Sequence, residues 1–204
     1  MSHTLGNLEI FNRSLFMLLN GEGSIPGWMV SIAVALGDTL IYLVPLALLW
    51  MWLWGDFSRR SLALNVLVVV MVAVGVNQLI GLVWQHPRPF VVGLGHAWIP
   101  HQADSSFPSD HVTVLSAFGL TLVAGGAVGL GSLMLGFALV VSFARVFLGI
   151  HFPLDMVGAF VVAFICQVTI TPIWRSIGAP TTNAFERLYR RVCVWPIRKG
   201  AFRR

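Results

Sequence analysis

Residues 107–111 combine a helix start with a group that can exchange protons. They read Phe-Pro-Ser-Asp-His at the end of a polar loop and open into an apolar run. Ser109 can cap a helix here, and the first turn of such a helix leaves backbone N–H groups that favour an anion. His111 lies in the same turn and can exchange a proton with a bound group. Most helix starts of this kind bind only water, so the prediction depends on the neighbouring motifs.

Downstream, Arg145, His151 and Asp155 supply a possible nucleophile and its partners. Asp155 follows His151 by four residues, so near a helix start its carboxylate can accept a hydrogen bond from the imidazole. An acid in that position fixes the tautomer and raises the basicity of the other ring nitrogen. His151 is therefore predicted as a nucleophile on phosphorus, with His111 as the proton donor to the leaving oxygen. Arg145 and Arg88, together with a helix N-terminus, favour an anion with several oxygens, which phosphate fits best.

A zinc site is the competing chemistry. The candidate ligands are histidines, namely His86, His96, His101, His111 and His151. Their spacings match no zinc motif, and arginines beside the site disfavour a cation. We therefore predict no metal and no cofactor, and we assign no role to His96 or His101.

The composition indicates a membrane protein. The 204 residues are 57% hydrophobic and only 10% charged, whereas soluble domains carry about 25% charged residues. The net charge of +5 could suggest nucleic acid, but no basic stripe with interleaved aromatics occurs, so we expect no nucleic-acid partner. Cys166 and Cys193 suggest neither a disulfide framework nor a metal pair.

The apolar runs predict an all-α integral membrane bundle of about five transmembrane helices, with interfacial helices at the N- and C-terminal ends. Residues 112–150 would form a helix of about 58 Å, too long for a hydrocarbon core of about 30 Å. This run must therefore fold back at its glycines, near residues 125–131. The predicted spans are Trp28–Trp54, Leu62–Trp84, two within 112–150, and Pro153 to about Trp174.

The remaining segments set the predicted domain organisation and orientation. We expect residues 1–26 to form an amphipathic interfacial segment, 27–175 the membrane domain, and 176–204 a basic cytoplasmic tail. With five spans, ten of the thirteen basic residues fall on one side, which the positive-inside rule makes cytoplasmic. The predicted site residues then meet at the external face.

Asp38 interrupts the first span, roughly 15 Å along it at 1.5 Å per residue. An acid at that depth is costly. Its role is left open between a structural hydrogen bond to a neighbouring helix and a part in the site.

Taken in order, three motifs resemble the signatures of the type 2 phosphatidic acid phosphatase superfamily. They are Arg88-Pro89, Pro108-Ser109-Asp110-His111 and Arg145-x5-His151-x3-Asp155. Phe90, Asp110 and the stretch 148–153 are most similar to the bacitracin-resistance group of undecaprenyl-pyrophosphate phosphatases.

The resemblance implies a helical bundle and a phosphohistidine formed at His151. It also implies His111 as the acid and Asp155 as the residue that orients His151. Arg88, Ser109, Asp110 and Arg145 become the expected substrate-binding residues. Two positions depart from the family pattern, because Gly81 stands where a lysine is usual and Ala144 where a serine is usual; Gln85 or His86 are candidate substitutes for the lysine.

The predicted function is a metal-independent lipid phosphatase that converts undecaprenyl pyrophosphate to undecaprenyl phosphate at the outer face of a bacterial cytoplasmic membrane. Its expected partners are the polyprenyl substrate and membrane lipids. The same chemistry on phosphatidate, phosphatidylglycerophosphate or a lipid A phosphate is the alternative. A lipid or anion transporter is a further alternative, disfavoured because transport needs no nucleophile. A phosphotransferase also remains open.

Overall fold

The computed structural model describes residues 2–21, 23 and 25–203, and all regular elements within these residues are helical. The α-helices are α1 (Ser2–Leu19), α2 (Gly27–Thr39), α3 (Leu43–Trp54), α4 (Phe57–Val83), α5 (Asp110–Ala124), α6 (Val128–Phe147), α7 (Pro153–Val192) and α8 (Val194–Arg198). Short 3₁₀ turns cover Leu40–Tyr42 and Pro89–Val92. The predicted all-α membrane bundle is confirmed.

Four helical stretches of the described chain are long and apolar enough to cross a membrane. They are Gly27–Trp54, in which α2 and α3 are joined through a 3₁₀ turn, and the helices α4, α6 and α7. The predicted third span, α5, has only 15 residues, which corresponds to about 22 Å. It is therefore shorter than the expected span, and it packs between α4, α6 and α7.

Helix α5 lies at the centre of the bundle, where α4, α6 and α7 pack against it. Leu115, Phe118 and Leu122 are fully buried. A methyl group added at Gly131 would lie 2.8 Å from the carbonyl oxygen of Gly119, so α5 and α6 approach at backbone distance there. Small residues allow this kind of close packing between membrane helices. The predicted glycine turn follows directly, between Ala124 and Val128.

Helix α7 extends well beyond the predicted end of the fifth span near Trp174. It continues without a break to Val192, over 40 residues or about 60 Å. Pro172 and Pro180 lie inside it, and proline is tolerated in membrane helices because neighbouring groups compensate for the lost N–H. The predicted C-terminal surface helix is thus largely the last part of α7.

The C-terminal segment packs against the bundle through Arg60 of α4. This guanidinium is 1% exposed and donates to Glu186 Oε1 at 2.8 Å, to the Trp52 carbonyl at 2.9 Å and to the Arg203 carbonyl at 2.7 Å. It also lies over the rings of Trp52 and Tyr189. A single buried cation therefore joins α3, α4, α7 and the residues after α8.

Helix α1 has an exposed apolar face and a buried face that contacts the protein. Leu8, Phe11 and Leu18 are exposed, whereas Asn12, Phe16 and Asn20, which directly follows the helix, are buried. This pattern is compatible with the predicted interfacial position, with apolar groups facing lipid. The buried side docks on the turn between α6 and α7.

Candidate active site

The turn between α6 and α7 presents His151 at the start of a helix. Gly149 makes this turn possible, because its φ of +78° is left-handed and a methyl group there would meet the His96 carbonyl. Pro153 then occupies the first turn of α7, where its missing N–H costs nothing. Asp155 Oδ2 accepts a hydrogen bond from the Phe152 N–H at 2.8 Å, which caps the helix and fixes the carboxylate.

His151 and Asp155 are adjacent, as the four-residue spacing predicts. His151 Nδ1 lies 3.3 Å from Asp155 Oδ2, and both side chains are almost fully buried. Ser106 also donates to Asp155 Oδ2, and its Oγ lies 3.4 Å from His151 Nδ1. The carboxylate is therefore held from three directions, and its orientation relative to the imidazole is restricted.

Arg88 contacts the other nitrogen of the same imidazole. Its Nη1 lies 3.1 Å from His151 Nε2 and donates to the Ile150 carbonyl at 2.9 Å. An arginine can only donate, so Nε2 is the acceptor and the proton is on Nδ1, facing Asp155. In this tautomer the lone pair of Nε2 faces Arg88 and the Nδ1–H faces Asp155.

Burial lowers the pKa of His151 below its ordinary value, because the charged imidazolium loses water. Asp155 opposes this effect by favouring the charged form, while Arg88 and Arg145 lower the pKa further. The balance keeps the imidazole neutral at pH 7, which is the form that can attack phosphorus.

Arg145 reaches the same cavity from the last turn of α6. Its Nη2 donates to Asp38 Oδ1 at 2.8 Å and to the Gly37 carbonyl at 3.2 Å, and its Nε has no partner among the described residues. Asp38 is thus the ion-pair partner of Arg145, a predicted phosphate ligand. This contact is both a bond to a neighbouring helix and a link to the site, the two roles that the sequence leaves open for Asp38. Arg88 is paired in the same way, since its Nε donates to Asp104 at 2.8 Å.

Ser109 directly precedes α5 and lies beside Asp155. Ser109 is fully buried, and within the described chain its Oγ has no hydrogen-bond partner, so it does not cap the helix as predicted. The Ser109 N–H instead faces the Asp155 carbonyl oxygen at 3.4 Å. An orphaned buried hydroxyl is costly, and a phosphate oxygen would satisfy it.

Asp110 lines the cavity, but its carboxylate already has donors from α4. Its two carboxylate oxygens accept from the amides of Asn77 at 2.8 Å and Gln78 at 3.1 Å, both on α4. These bonds tie α5 to α4 and leave the negative charge with donors of its own. His111, one residue later, lines the cavity.

Several of these side chains line a cavity of about 630 Å³. Arg88, Arg145, His111 and His151 line it together with Gly81, the position of the missing family lysine. Gln85 and His86, the candidate substitutes for that lysine, are also in its wall. The described residues contain no group of three or more His, Cys, Asp or Glu side chains arranged to hold a metal ion.

Sequence reasoning missed Ser106 and Asp104. Both belong to the polar loop that precedes α5, and both contact a predicted site residue directly. A loop has no periodicity that would indicate which side chains face inward. The only available signal is that they precede the Pro108-Ser109 motif by a few residues.

Comparison with known proteins shows the family. The model of the PAP2 superfamily matches residues 62–177, and the chain belongs to this superfamily. It is 37% identical to YbjG of Escherichia coli (strain K12), provisionally named an undecaprenyl-diphosphatase, over 95% of this chain and 98% of that protein. It is 34% identical to undecaprenyl-diphosphatase BcrC of Bacillus subtilis (strain 168), over 76% of this chain and 79% of that protein.

A solved structure shares the fold. The first transmembrane PAP2 type phosphatidylglycerolphosphate phosphatase from Bacillus subtilis aligns with a TM-score of 0.60 at 17% identity, covering 85% of this chain and 88% of that one. At this identity the likeness concerns the fold alone. The predicted family is confirmed, and the family and relatives support a hydrolase within a multi-pass membrane protein.

Proposed function

We propose that this protein removes the terminal phosphate of undecaprenyl pyrophosphate, through a phosphohistidine at His151. The observation that carries the proposal is the pair of contacts on one imidazole, with Asp155 at Nδ1 and Arg88 at Nε2. The names of the relatives support the lipid pyrophosphate as the substrate. The apolar bundle supports a substrate with a long hydrocarbon tail.

The proposed reaction has two displacements on phosphorus. In the first, His151 Nε2 attacks the terminal phosphorus, the bond to the bridging oxygen breaks, and His111 gives its proton to the departing undecaprenyl phosphate. In the second, His111 takes a proton from water, the oxygen attacks the phosphohistidine, and inorganic phosphate leaves. No step of this scheme requires a metal.

The arginines stabilise the charge that develops on the transferring group. Both are paired with carboxylates, Arg88 with Asp104 and Arg145 with Asp38. A bound phosphate must compete with these acids for the guanidinium groups. We expect the Ser109 hydroxyl, which has no partner among the described residues, to donate to the third oxygen.

We place the site at the external face of the cytoplasmic membrane. Asp155 lies in the first turn of α7, whereas Arg190 and Arg191 lie in its last turn, about 50 Å away at 1.5 Å per residue. Residues 175–204 hold eight of the thirteen basic side chains, which favours a cytoplasmic position for that end. In this orientation residues 27–175 form the membrane domain, 1–26 an external interfacial segment and 176–204 the cytoplasmic tail.

The test is phosphate release by the purified protein in detergent with EDTA present. Undecaprenyl pyrophosphate, phosphatidate and phosphatidylglycerophosphate are compared in parallel, each with a His151→Ala control. Release from the polyprenyl substrate that is lost in the control supports the proposal. Preference for a glycerolipid would overturn the proposal that undecaprenyl pyrophosphate is the substrate. Phosphate release that EDTA abolishes and added zinc restores would overturn the metal-independent mechanism.

A second measurement addresses the intermediate. Protein quenched during turnover of substrate labelled on the terminal phosphate should carry label that is stable in base and lost in acid, as a phosphoramidate is. The His151→Ala variant should carry none. Equal labelling of both proteins would place the phosphoryl group elsewhere.

A further inference from the structure

His86 lies between helix α1 and the acid that orients the proposed nucleophile. Its Nδ1 is 4.0 Å from Asp155 Oδ1, and its Nε2 is 3.7 Å from Glu9 Oε2 on α1. The ring is packed edge-on against Phe152 at 5.5 Å and Trp84 at 5.4 Å. Only 13% of the side chain is exposed, so its two nitrogens face two carboxylates in a largely enclosed space.

The two atoms that face each other across 4.0 Å are both unpaired. In the part of the chain that the structure describes, neither His86 Nδ1 nor Asp155 Oδ1 has a hydrogen-bond partner, although both are buried. Among the described residues, the donors to the Asp155 carboxylate all reach its other oxygen, Oδ2. An N–H and a carboxylate oxygen are complementary, and an approach of about 1 Å would bring them to hydrogen-bond distance.

The backbone of His86 supports the same carboxylate by a second route. The His86 carbonyl accepts from the Ser106 N–H at 2.7 Å, and Ser106 donates its hydroxyl to Asp155. Helix α1 is in turn fixed to the start of α7, because Asn12 Oδ1 accepts from the Leu154 N–H at 3.0 Å. The position of α1 is therefore coupled to the position of Asp155.

We propose that His86 is a positioning residue that holds the free oxygen of Asp155 and couples helix α1, through Glu9, to the nucleophile. Its Nδ1 faces Asp155 and its Nε2 faces Glu9, so an N–H on either ring nitrogen has a carboxylate acceptor. The inference rests on the proposed function, because it concerns the rate of attack by His151.

The charged and titratable groups around His86 come from three elements. Glu9 is on α1 and is itself paired with Arg13 at 2.7 Å. Asp155 is on α7, and His151 precedes that helix. Arg88 is two residues from His86 on its own segment. A change at His86 therefore acts on His151 through the carboxylate that both imidazoles face.

The test uses His86→Phe, which keeps a flat ring against Phe152 and Trp84 and removes both nitrogens. Hydrolysis of undecaprenyl pyrophosphate should show kcat lower by about tenfold, the effect of losing roughly 1.4 kcal/mol of transition-state stabilisation, with KM changed by less than about twofold. His96→Phe is the matched control, since His96 lies in the loop outside the cavity, and should behave as the parent protein.

The pH profile distinguishes positioning from simple packing. Without His86, the charge on Asp155 is less compensated and favours the imidazolium of His151 more strongly. The acidic limb of kcat/KM should therefore move to higher pH in His86→Phe. Glu9→Gln should change kcat in the same direction by a smaller factor.

Double variants test whether the effect passes through Asp155. In an Asp155→Asn background, His86→Phe should cause little further loss, because residues that act as a unit are not additive. A parental kcat and pH profile in His86→Phe, or full additivity with Asp155→Asn, would overturn the inference. Failure of the parent protein to hydrolyse the substrate would instead overturn the proposed function. If His86→Phe does not fold, Glu9→Gln alone decides, and a parental rate and profile there overturns the coupling to α1.

Discussion

Replacing Asp155 by asparagine tests how much the orientation of His151 contributes to the reaction. The side chain is 1% exposed, so water cannot replace the lost carboxylate. The capping bond from the Phe152 N–H can still be accepted by the amide oxygen, so the helix start should persist. What is lost is the charged acceptor facing His151 Nδ1.

The magnitude follows from the type of bond. A hydrogen bond to a charged group contributes about 1.5–3 kcal/mol, and the 3.3 Å separation between His151 Nδ1 and Asp155 Oδ2 places this one below the upper end. About 2–2.5 kcal/mol corresponds to roughly 30- to 70-fold in rate. We therefore expect kcat of Asp155→Asn to fall about 30- to 70-fold, with KM little changed.

The assay is phosphate release under single-turnover and steady-state conditions, with thermal unfolding in detergent as the control for folding. Ser106→Ala is the comparison variant, since it removes a donor to the same oxygen but leaves the charge in place. It should lose less activity than Asp155→Asn. A kcat within threefold of the parent value in well-folded Asp155→Asn would refute the orienting role.

Four further outcomes are expected. Arg88→Ala should lower kcat by about 10²–10³, the usual effect of removing one donor from a developing oxyanion; near-parental phosphate release would place the anion elsewhere. Asp38→Asn should lower KM by about two- to fivefold, because loss of the ion pair frees Arg145 for substrate and a half-exposed ion pair contributes up to about 1 kcal/mol. A higher KM with a lower kcat would instead mean that Asp38 positions Arg145. The acidic limb of kcat/KM should lie below about pH 6.5, the ordinary pKa of histidine. Burial lowers the pKa of His151, and protonation of His151 removes the nucleophile. An acidic limb above that pH would contradict the assignment of His151 as the nucleophile. Arg60→Leu should lower stability by about 1.5–3 kcal/mol, the contribution of a hydrogen bond to a charged group, because Glu186 keeps its second partner, Arg190, at 2.9 Å. The thermal midpoint in detergent measures this, and an unchanged midpoint would show that the Arg60–Glu186 pair contributes little.

The His151–Asp155 pair and the transmembrane runs were accessible from the sequence because each depends on local spacing. A separation of four residues at a proline-marked helix start brings an acid near the imidazole, and long apolar runs form helices in lipid because every backbone group must be satisfied internally. The glycine turn after α5 is local in the same sense.

Contacts between distant segments were not accessible in this way. Ser106 and Asp104 come from an irregular loop, and Asp110 finds its amide donors on α4, more than thirty residues earlier. The prolines of α7 are ordinary signals for a helix end, yet the helix continues through them. The pattern of apolar residues predicts an amphipathic α1, but it does not indicate that Asn12, within the helix, and Asn20, just after it, are buried.

The short length of α5 has a consequence for access to the site. At about 22 Å it is roughly 8 Å shorter than a typical hydrocarbon core, and the connection between α4 and α5 leads directly into its first turn. In the proposed orientation we expect the proposed reaction to take place below the plane of the lipid headgroups. A lipid-borne diphosphate would then reach that depth along the helices, whereas a water-soluble ester would first have to pass the loop. We expect helix length itself to select for substrates that are anchored in the membrane.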